Sequence, residues 1–551
     1  MATGAEALVR TLADAGVTTC FTNPGTSEMH FVAALDSADE MRAVLALFEG
    51  VATGAADGYA RMAGRPAATL LHLGPGLGNG LANLHNARRA MVPLVNIVGD
   101  HATYHARHDA QLQSDIETVA RNVSRWVRTS RSTEALPRDA ADAIAAAYGP
   151  PGQVATLILP ADVSWSDGAE PAVAPPIPAL PAASGDAVAR VAAALRGQGR
   201  AALLLGGRAL RAPGLVAAAR IGATTGAKLL AEAFPTRMER GAGLPAVERI
   251  AYLAELASVQ LAGLDHLVLV DAKAPVSFFA YPNRRSDLVP DGCAVHELAA
   301  PAEDALASLD ALVEELGAVR SAAALQPPSR PPLPAGPLTA DKVCQAVGAL
   351  LPEGAIVCDE AVTSGVTLAA GTAGAPRHDL LTLTGGAIGQ GLPAAVGAAI
   401  ACPDRPVLAL EGDGSAMYTI QSLWTMAREQ LDITAVVFNN RSYAILNIEL
   451  ERVGARGSGP KARSQLDLAG PDLDFVRIAE GLGVPAVRVD TGEGIVGALK
   501  RALDEPGPHL VEAVVPSVYS GLRLKAMPHA LRALGKLPQP IANAAKRRLF
   551  P

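Results

Sequence analysis

PVLALEGDGSAMYTIQSLW (residues 406–424) reads as a buried strand, then Gly412-Asp413-Gly414-Ser415, then a helix. A continuous apolar run suits a strand covered on both faces, as in a parallel sheet. Glycines at a strand-to-helix turn expose backbone N–H groups to a diphosphate. Twenty-seven residues after Asp413 a second apolar run, ITAVVFNN (433–440), ends in Asn439-Asn440, followed by Arg441-Ser442. A carboxylate and an amide oxygen at two strand ends supply hard oxygen ligands for Mg²⁺, which prefers to share its shell with substrate phosphates. Alone, GDGS is an ordinary turn. Its strand contexts and its spacing from the paired asparagines make it a diphosphate and magnesium site.

The same alternation of apolar runs and Ala-rich helical stretches extends outward in both directions. AATLLHL (67–73), LVNIVGD (94–100), ATLILPADV (155–163), AALLLGG (201–207), HLVLVDA (266–272) and AIVCDE (355–360) all read as buried strands. Strands alternating with helices predict an α/β fold of three domains, each a mainly parallel sheet flanked by helices. Proline-rich stretches at 171–181 and 327–337 divide the chain into 1–165, 183–325 and 338–520, with a tail over 521–551. The 551 residues carry 54 acids and 47 Lys+Arg, a net charge of −7, which argues against nucleic acid as the principal partner. Five scattered cysteines without a CxxC pair fit a reducing cytosol. There is no signal-peptide pattern at the N-terminus, and the small-residue stretch 385–401 reads as a turn entering a packed helix, not a membrane span. These features predict a cytoplasmic chain.

The GDGS-to-NN pattern is the thiamine diphosphate signature, and over roughly residues 1–520 the chain resembles the decarboxylase/acetolactate synthase family of thiamine enzymes. The resemblance implies a pyrimidine-binding, a central and a diphosphate-binding domain, in that order. It makes Asp413 and Asn440 magnesium ligands, with the Ser442 carbonyl as the third, and sets Gly412, Gly414 and Ser415 around the diphosphate. It also implies a carboxylate on the aminopyrimidine ring, within LALFEGVATGAADGYAR (45–61). Glu49 is the candidate: it follows an apolar run and precedes small residues, surroundings that bury a carboxylate for a purpose. In TGGAIGQGLPAA (384–395), the Gly386 carbonyl and the Ile388 side chain match the positions that hold the cofactor bent. Thr363 and Ser364, in DEAVTS (359–364), match a segment that contacts the diphosphate.

NPGTSE (23–28) and LLHLGPGLGN (70–79) resemble benzoylformate decarboxylase more than acetolactate synthase, and make Thr26 and His72 catalytic candidates. Histidine titrates near neutrality and suits proton relay. The likeness then breaks, because Ala280 stands where that enzyme has a second histidine. Ile445, Leu446 and Glu449 follow the NN motif in place of an aromatic pocket residue. This favours a small 2-oxo acid, by decarboxylation or carboligation. The alternatives are a 2-hydroxyacyl-CoA lyase or oxalyl-CoA decarboxylase relative and a non-catalytic, cofactor-binding paralogue. Some relatives bind FAD in the central domain; the absence of G-x-G-x-x-G there weakens that reading without closing it. The family resemblance also implies a homodimer or homotetramer with active sites between subunits.

Three further features stand outside the motif set. His101, His105 and His108 have the spacing of one helical face. Arg88 and Arg89 are candidates for a substrate carboxylate or a neighbouring subunit. The tail from 520 carries seven basic residues and no acid, as a solvated terminus or a lid.

Overall fold

The computed structural model describes residues 2–517, apart from 283, 454 and 456–458, together with 530 and 533. But for those last two positions, the basic tail lies outside the described residues. Three larger sheets organise the chain. A six-stranded, all-parallel sheet has the order Arg42–Leu45, Thr19–Asn23, Ala67–Leu71, Leu94–Asp100, Val154–Pro160, Trp126–Thr129. A five-stranded parallel sheet follows, in the order Glu248–Arg249, Lys228–Ala231, Ala201–Leu205, His266–Val270, Ala294–Ala299. The third sheet has seven strands, with Val407–Gly412 at its centre between Ile356–Glu360 and Ile433–Asn439. Each apolar run named above contains a strand, and the fold is α/β throughout.

One strand crosses a segment boundary. Met238–Arg240, from the middle segment, pairs antiparallel with His378–Thr382 at the edge of the seven-stranded sheet. Nothing in its three residues signals this. The histidine stretch also departs from the helical spacing: it is a loop with a 3-10 turn at Ala106–His108, closed by Asp109 at φ 47°. The Asp100 carboxylate takes the His101 N–H at 2.7 Å, and the Ala102 carbonyl takes the His105 N–H at 2.7 Å, which turns the chain before a helix can start. Among the described residues, no three His, Cys, Asp or Glu side chains are grouped as a metal site, and no helix is long and apolar enough to cross a membrane.

The first and third sheets meet through two helices, Glu49–Ala63 and Gly391–Ala401. The first is buried from residue 49 to 62, as a helix covered all round must be. The approach is close enough that a Cβ at Gly58 would overlap the Ala394 carbonyl, and one at Gly397 the Ala55 carbonyl. Within this contact the guanidinium of Arg61 grips Asp57 by two bonds of 2.8 Å, both side chains wholly buried. Arg61 also donates to the Thr382 carbonyl and the Thr384 hydroxyl, each at 2.8 Å, and Gln390 donates to Asp57. Removing either charge alone strands the other in the interior, at about 3–5 kcal/mol.

Candidate active site

The Gly412–Ser415 turn follows directly from its strand. Asp413, 2% exposed, accepts the Gly414 N–H at 2.8 Å through Oδ1 and the Arg441 N–H at 2.6 Å through Oδ2. The loop after the neighbouring strand therefore folds over this carboxylate, helped by Arg441 at φ 58°. Burial raises the Asp413 carboxyl, while the amides of Gly414, Arg441, Ser442 and Asn440 oppose the rise. Asn440 Oδ1 accepts the Ser442 N–H at 2.9 Å, and Asn440 Nδ2 reaches the Ser364 hydroxyl at 3.4 Å. Asp413, Asn440, Ser442 and Ser364 thus converge at the C-terminal ends of three adjacent parallel strands, where open sheets of this kind bind ligands. A carboxylate, a carboxamide and a backbone carbonyl make a donor set suited to Mg²⁺. The Tyr443 ring lies against Gly414, where any Cβ would collide with it. Ser415 is buried and Thr363 half-buried; Gly412 lacks any neighbour closer than 3.7 Å to an added Cβ.

The loop 384–390 is held from two sides. From beneath, Glu360 accepts three consecutive amides, those of Gly389 at 2.6 Å, Gln390 at 2.8 Å and Gly391. Above it, Asn83 donates to the Gly389 carbonyl at 3.0 Å, and Asn86 donates to the Ala387 carbonyl at 2.8 Å. Gly386, at φ 76°, and Ile388 sit on this braced loop. The Phe278 ring covers Gly386, backed by Phe234, Tyr252 and Phe279 at centroid separations of 5.7, 5.2 and 5.0 Å. Beside Glu360 lies Glu411, 1% exposed, both of whose carboxylate oxygens lack a hydrogen-bond partner among the described residues. Burial and the Glu360 charge push its carboxyl well above the usual range.

A second cluster forms at the C-terminal ends of the six-stranded sheet. Glu49 begins its helix, is 8% exposed, and accepts from Asn79 Nδ2 at 3.0 Å through Oε2. Its Oε1 lies 3.3 Å from where a Gly76 Cβ would be, so a glycine leaves that oxygen clear. His72 Nδ1 pairs with Glu28 Oε2 at 2.7 Å, and the Gly25 N–H donates to the same oxygen at 2.7 Å. Glu28 is fully buried, and desolvation raises its carboxyl. A carboxylate on Nδ1 fixes the tautomer of the ring. Thr26 is exposed at the start of the same turn.

Sequence reasoning missed Glu28, Asn79, Glu360, Glu411 and Phe278. Glu28 was within reach, two residues beyond Thr26 in the same motif; the others are recognisable only by what folds onto them. Arg88 donates to the Asn122 carbonyl at 2.9 Å, away from both clusters. Among the described residues, no hydrogen bond or ion pair joins Glu28, Glu49 or His72 to Asp413, Asn440 or Ser442.

The N-terminal thiamine pyrophosphate-binding domain of thiamine pyrophosphate enzymes matches residues 2–120, and the C-terminal one matches residues 365–513. A Mycobacterium tuberculosis protein with the provisional name acetolactate synthase large subunit IlvX is 62% identical over 94% of this chain and 99% of its own. Benzoylformate decarboxylase of Pseudomonas aeruginosa is 32% identical over 91% of this chain and 97% of its own. Among solved structures, the thiamine diphosphate-dependent 4-hydroxybenzoylformate decarboxylase of Rhodococcus jostii RHA1 superposes with a TM-score of 0.82. It is 26% identical, over 94% of this chain and 99% of that one.

Proposed function

The chain belongs to the thiamine pyrophosphate enzyme family, as a decarboxylase/carboligase of the acetolactate synthase and 2-oxo acid decarboxylase kind, and from that premise we propose that it makes or breaks the C–C bond of a small 2-oxo acid with thiamine diphosphate and Mg²⁺. The observation that carries the cofactor reading is the convergence of Asp413 with Asn440 and Ser442 around one set of backbone amides. When bound, thiamine diphosphate supplies a nucleophilic ring carbon and an electron sink for the bond beside the carbonyl.

The chain's own groups divide the remaining work. Asp413, Asn440 and the Ser442 carbonyl would hold the metal, with Gly412, Gly414, Ser415, Thr363 and Ser364 around the diphosphate. Glu49 holds or accepts a proton at Oε1, the oxygen Asn79 leaves free. Glu28 orients His72, whose Nε2 moves a proton to or from the substrate end. Gly386 and Ile388 would position the rings. Phe278 narrows the space above Gly386 and thereby favours a short acyl group. Since, among the described residues, no hydrogen bond or ion pair joins Glu49 or His72 to Asp413, Asn440 or Ser442, a homodimer or tetramer that shares sites between subunits is the assembly that would bring them to one cofactor, in the cytoplasm. The three segments would act as pyrimidine-binding (1–165), central (183–325) and diphosphate-binding (338–520) domains.

The test supplies thiamine diphosphate, Mg²⁺ and a panel of 2-oxo acids, follows CO₂ release, and identifies products by mass spectrometry. Turnover of pyruvate-sized acids above aryl ones is the expected result. Turnover of aryl acids alone contradicts the substrate reading, and no turnover of any 2-oxo acid contradicts the activity.

A further inference from the structure

In the five-stranded sheet, Ala201–Leu205 is flanked by the later strand Lys228–Ala231 on one side and His266–Val270 on the other. That reversal of direction makes a switch point between the ends of Ala201–Leu205 and His266–Val270, the crevice where such a sheet receives a nucleotide diphosphate. Its loop, Gly206-Gly207-Arg208-Ala209, has the glycines that such a site needs. Every one of its amides is already engaged. The Gly206 N–H donates to the Val270 carbonyl at 3.0 Å and the Ala209 N–H to the Gly206 carbonyl at 3.0 Å. The Gly207 N–H donates to Glu232 Oε1 at 3.4 Å and the Arg208 N–H to Asp271 Oδ2 at 2.8 Å.

Asp271 fills the place itself. Its carboxylate lies where a Gly207 side chain would begin, and its backbone carbonyl where a Gly206 side chain would begin. The residue is 7% exposed and held at φ 50°, in the left-handed region that glycine, asparagine and aspartate enter more readily than other residues, and this turn aims its carboxylate at the loop. Glu232 adds a second negative group to the crevice, and desolvation with the neighbouring Asp271 charge pushes its carboxyl up to about 7. The cations near the crevice, Arg208 and Arg211 beside Asp271 and Arg89 and Lys273 beside Glu232, already serve these two carboxylates, so an incoming diphosphate would compete with resident anions for them and find no free amide on the loop.

We infer that the central domain carries its own anions in place of a dinucleotide, so that Asp271 and Glu232 exclude FAD, ADP and the ADP moiety of coenzyme A from the switch-point crevice. The residues do not fit a flavin. The inference is independent of the thiamine site, because it concerns a different sheet.

The test uses the full chain loaded with thiamine diphosphate and Mg²⁺. Calorimetric titrations with FAD, ADP and coenzyme A up to 1 mM, and the absorbance near 450 nm of the purified enzyme, are the readouts. No saturable heat and no flavin absorbance are expected; one-to-one binding of any of the three overturns the inference. D271G, which suits the φ of that position and frees the Arg208 amide, is expected to gain at least tenfold in ADP affinity. A D271G protein with wild-type thiamine diphosphate affinity and no gain overturns the assignment of Asp271 as the closing group.

Discussion

Asp413 and Asp271 each end a buried parallel strand beside a glycine turn, and their company differs. Asp413 accepts the Gly414 and Arg441 amides beside Asn440, Ser442 and Ser364, neutral groups that add no charge. Asp271 faces Glu232 across a loop whose amides are all taken. A single carboxylate among neutral oxygen donors leaves a deficit that a divalent cation fills. Two carboxylates on the amides of one loop leave nothing for an incoming phosphate. The glycine turns look alike in sequence; what folds back onto their amides decides whether they bind.

The sharpest division between the sites should appear in variants of their carboxylates. Glu49→Gln keeps the side-chain shape and removes the proton acceptor. Exchange of the thiazolium C2 hydrogen, followed by NMR after a deuterium quench, should slow by about 10²–10⁴-fold, with thiamine diphosphate affinity nearly kept. Wild-type exchange would move the activating role to another group.

Asp271 should reveal itself in stability, not in turnover. Burial raises its carboxyl to about 6, against the lowering effects of Arg208 and Arg211. A carboxyl whose folded pKa lies above its unfolded one is fully stabilising below the unfolded value, and that contribution is lost as pH rises through the folded one. Unfolding free energy should therefore fall between about pH 4 and 6 by on the order of 3 kcal/mol from this group. In Asp271→Asn, which keeps an acceptor for Arg208, urea titrations should show that fall removed. An identical pH profile in the variant contradicts the assignment.

Glu360→Gln gives the smallest effect. The carboxamide offers one acceptor oxygen where three amides converge, so the loop bearing Gly386 and Ile388 loosens. A loss of about 2 kcal/mol in thiamine diphosphate binding, about 30-fold, is expected, with recovery in Glu360→Asp. Unchanged affinity in Glu360→Gln would relieve Glu360 of that role.

Much of this arrangement is legible from the residues because parallel strands buried on both faces leave long apolar runs, and their ends are where chemistry collects. Asp413, Asn440 and Ser442 follow such runs directly, and Glu49 stands at a boundary between bulky and small residues. The rest depends on contacts far apart in the chain. Glu360 receives amides some thirty residues later, Phe278 meets Gly386 across two segments, and the three-residue strand Met238–Arg240 joins a sheet built mostly after residue 350. The Gly206-Gly207 loop misleads in the other direction: it has the composition of a binding turn, and only Asp271, 64 residues after Gly207, shuts it.

The account stands on the Asp413 site. Titrating thiamine diphosphate into the enzyme and into Asp413→Ala, each in excess Mg²⁺, tests it by calorimetry. Saturable binding by the wild type, and at least about 100-fold weaker binding by the variant, is predicted, since even groups behind a metal ligand are worth about 10–100-fold in metal affinity. Equal affinity in the two proteins would contradict it.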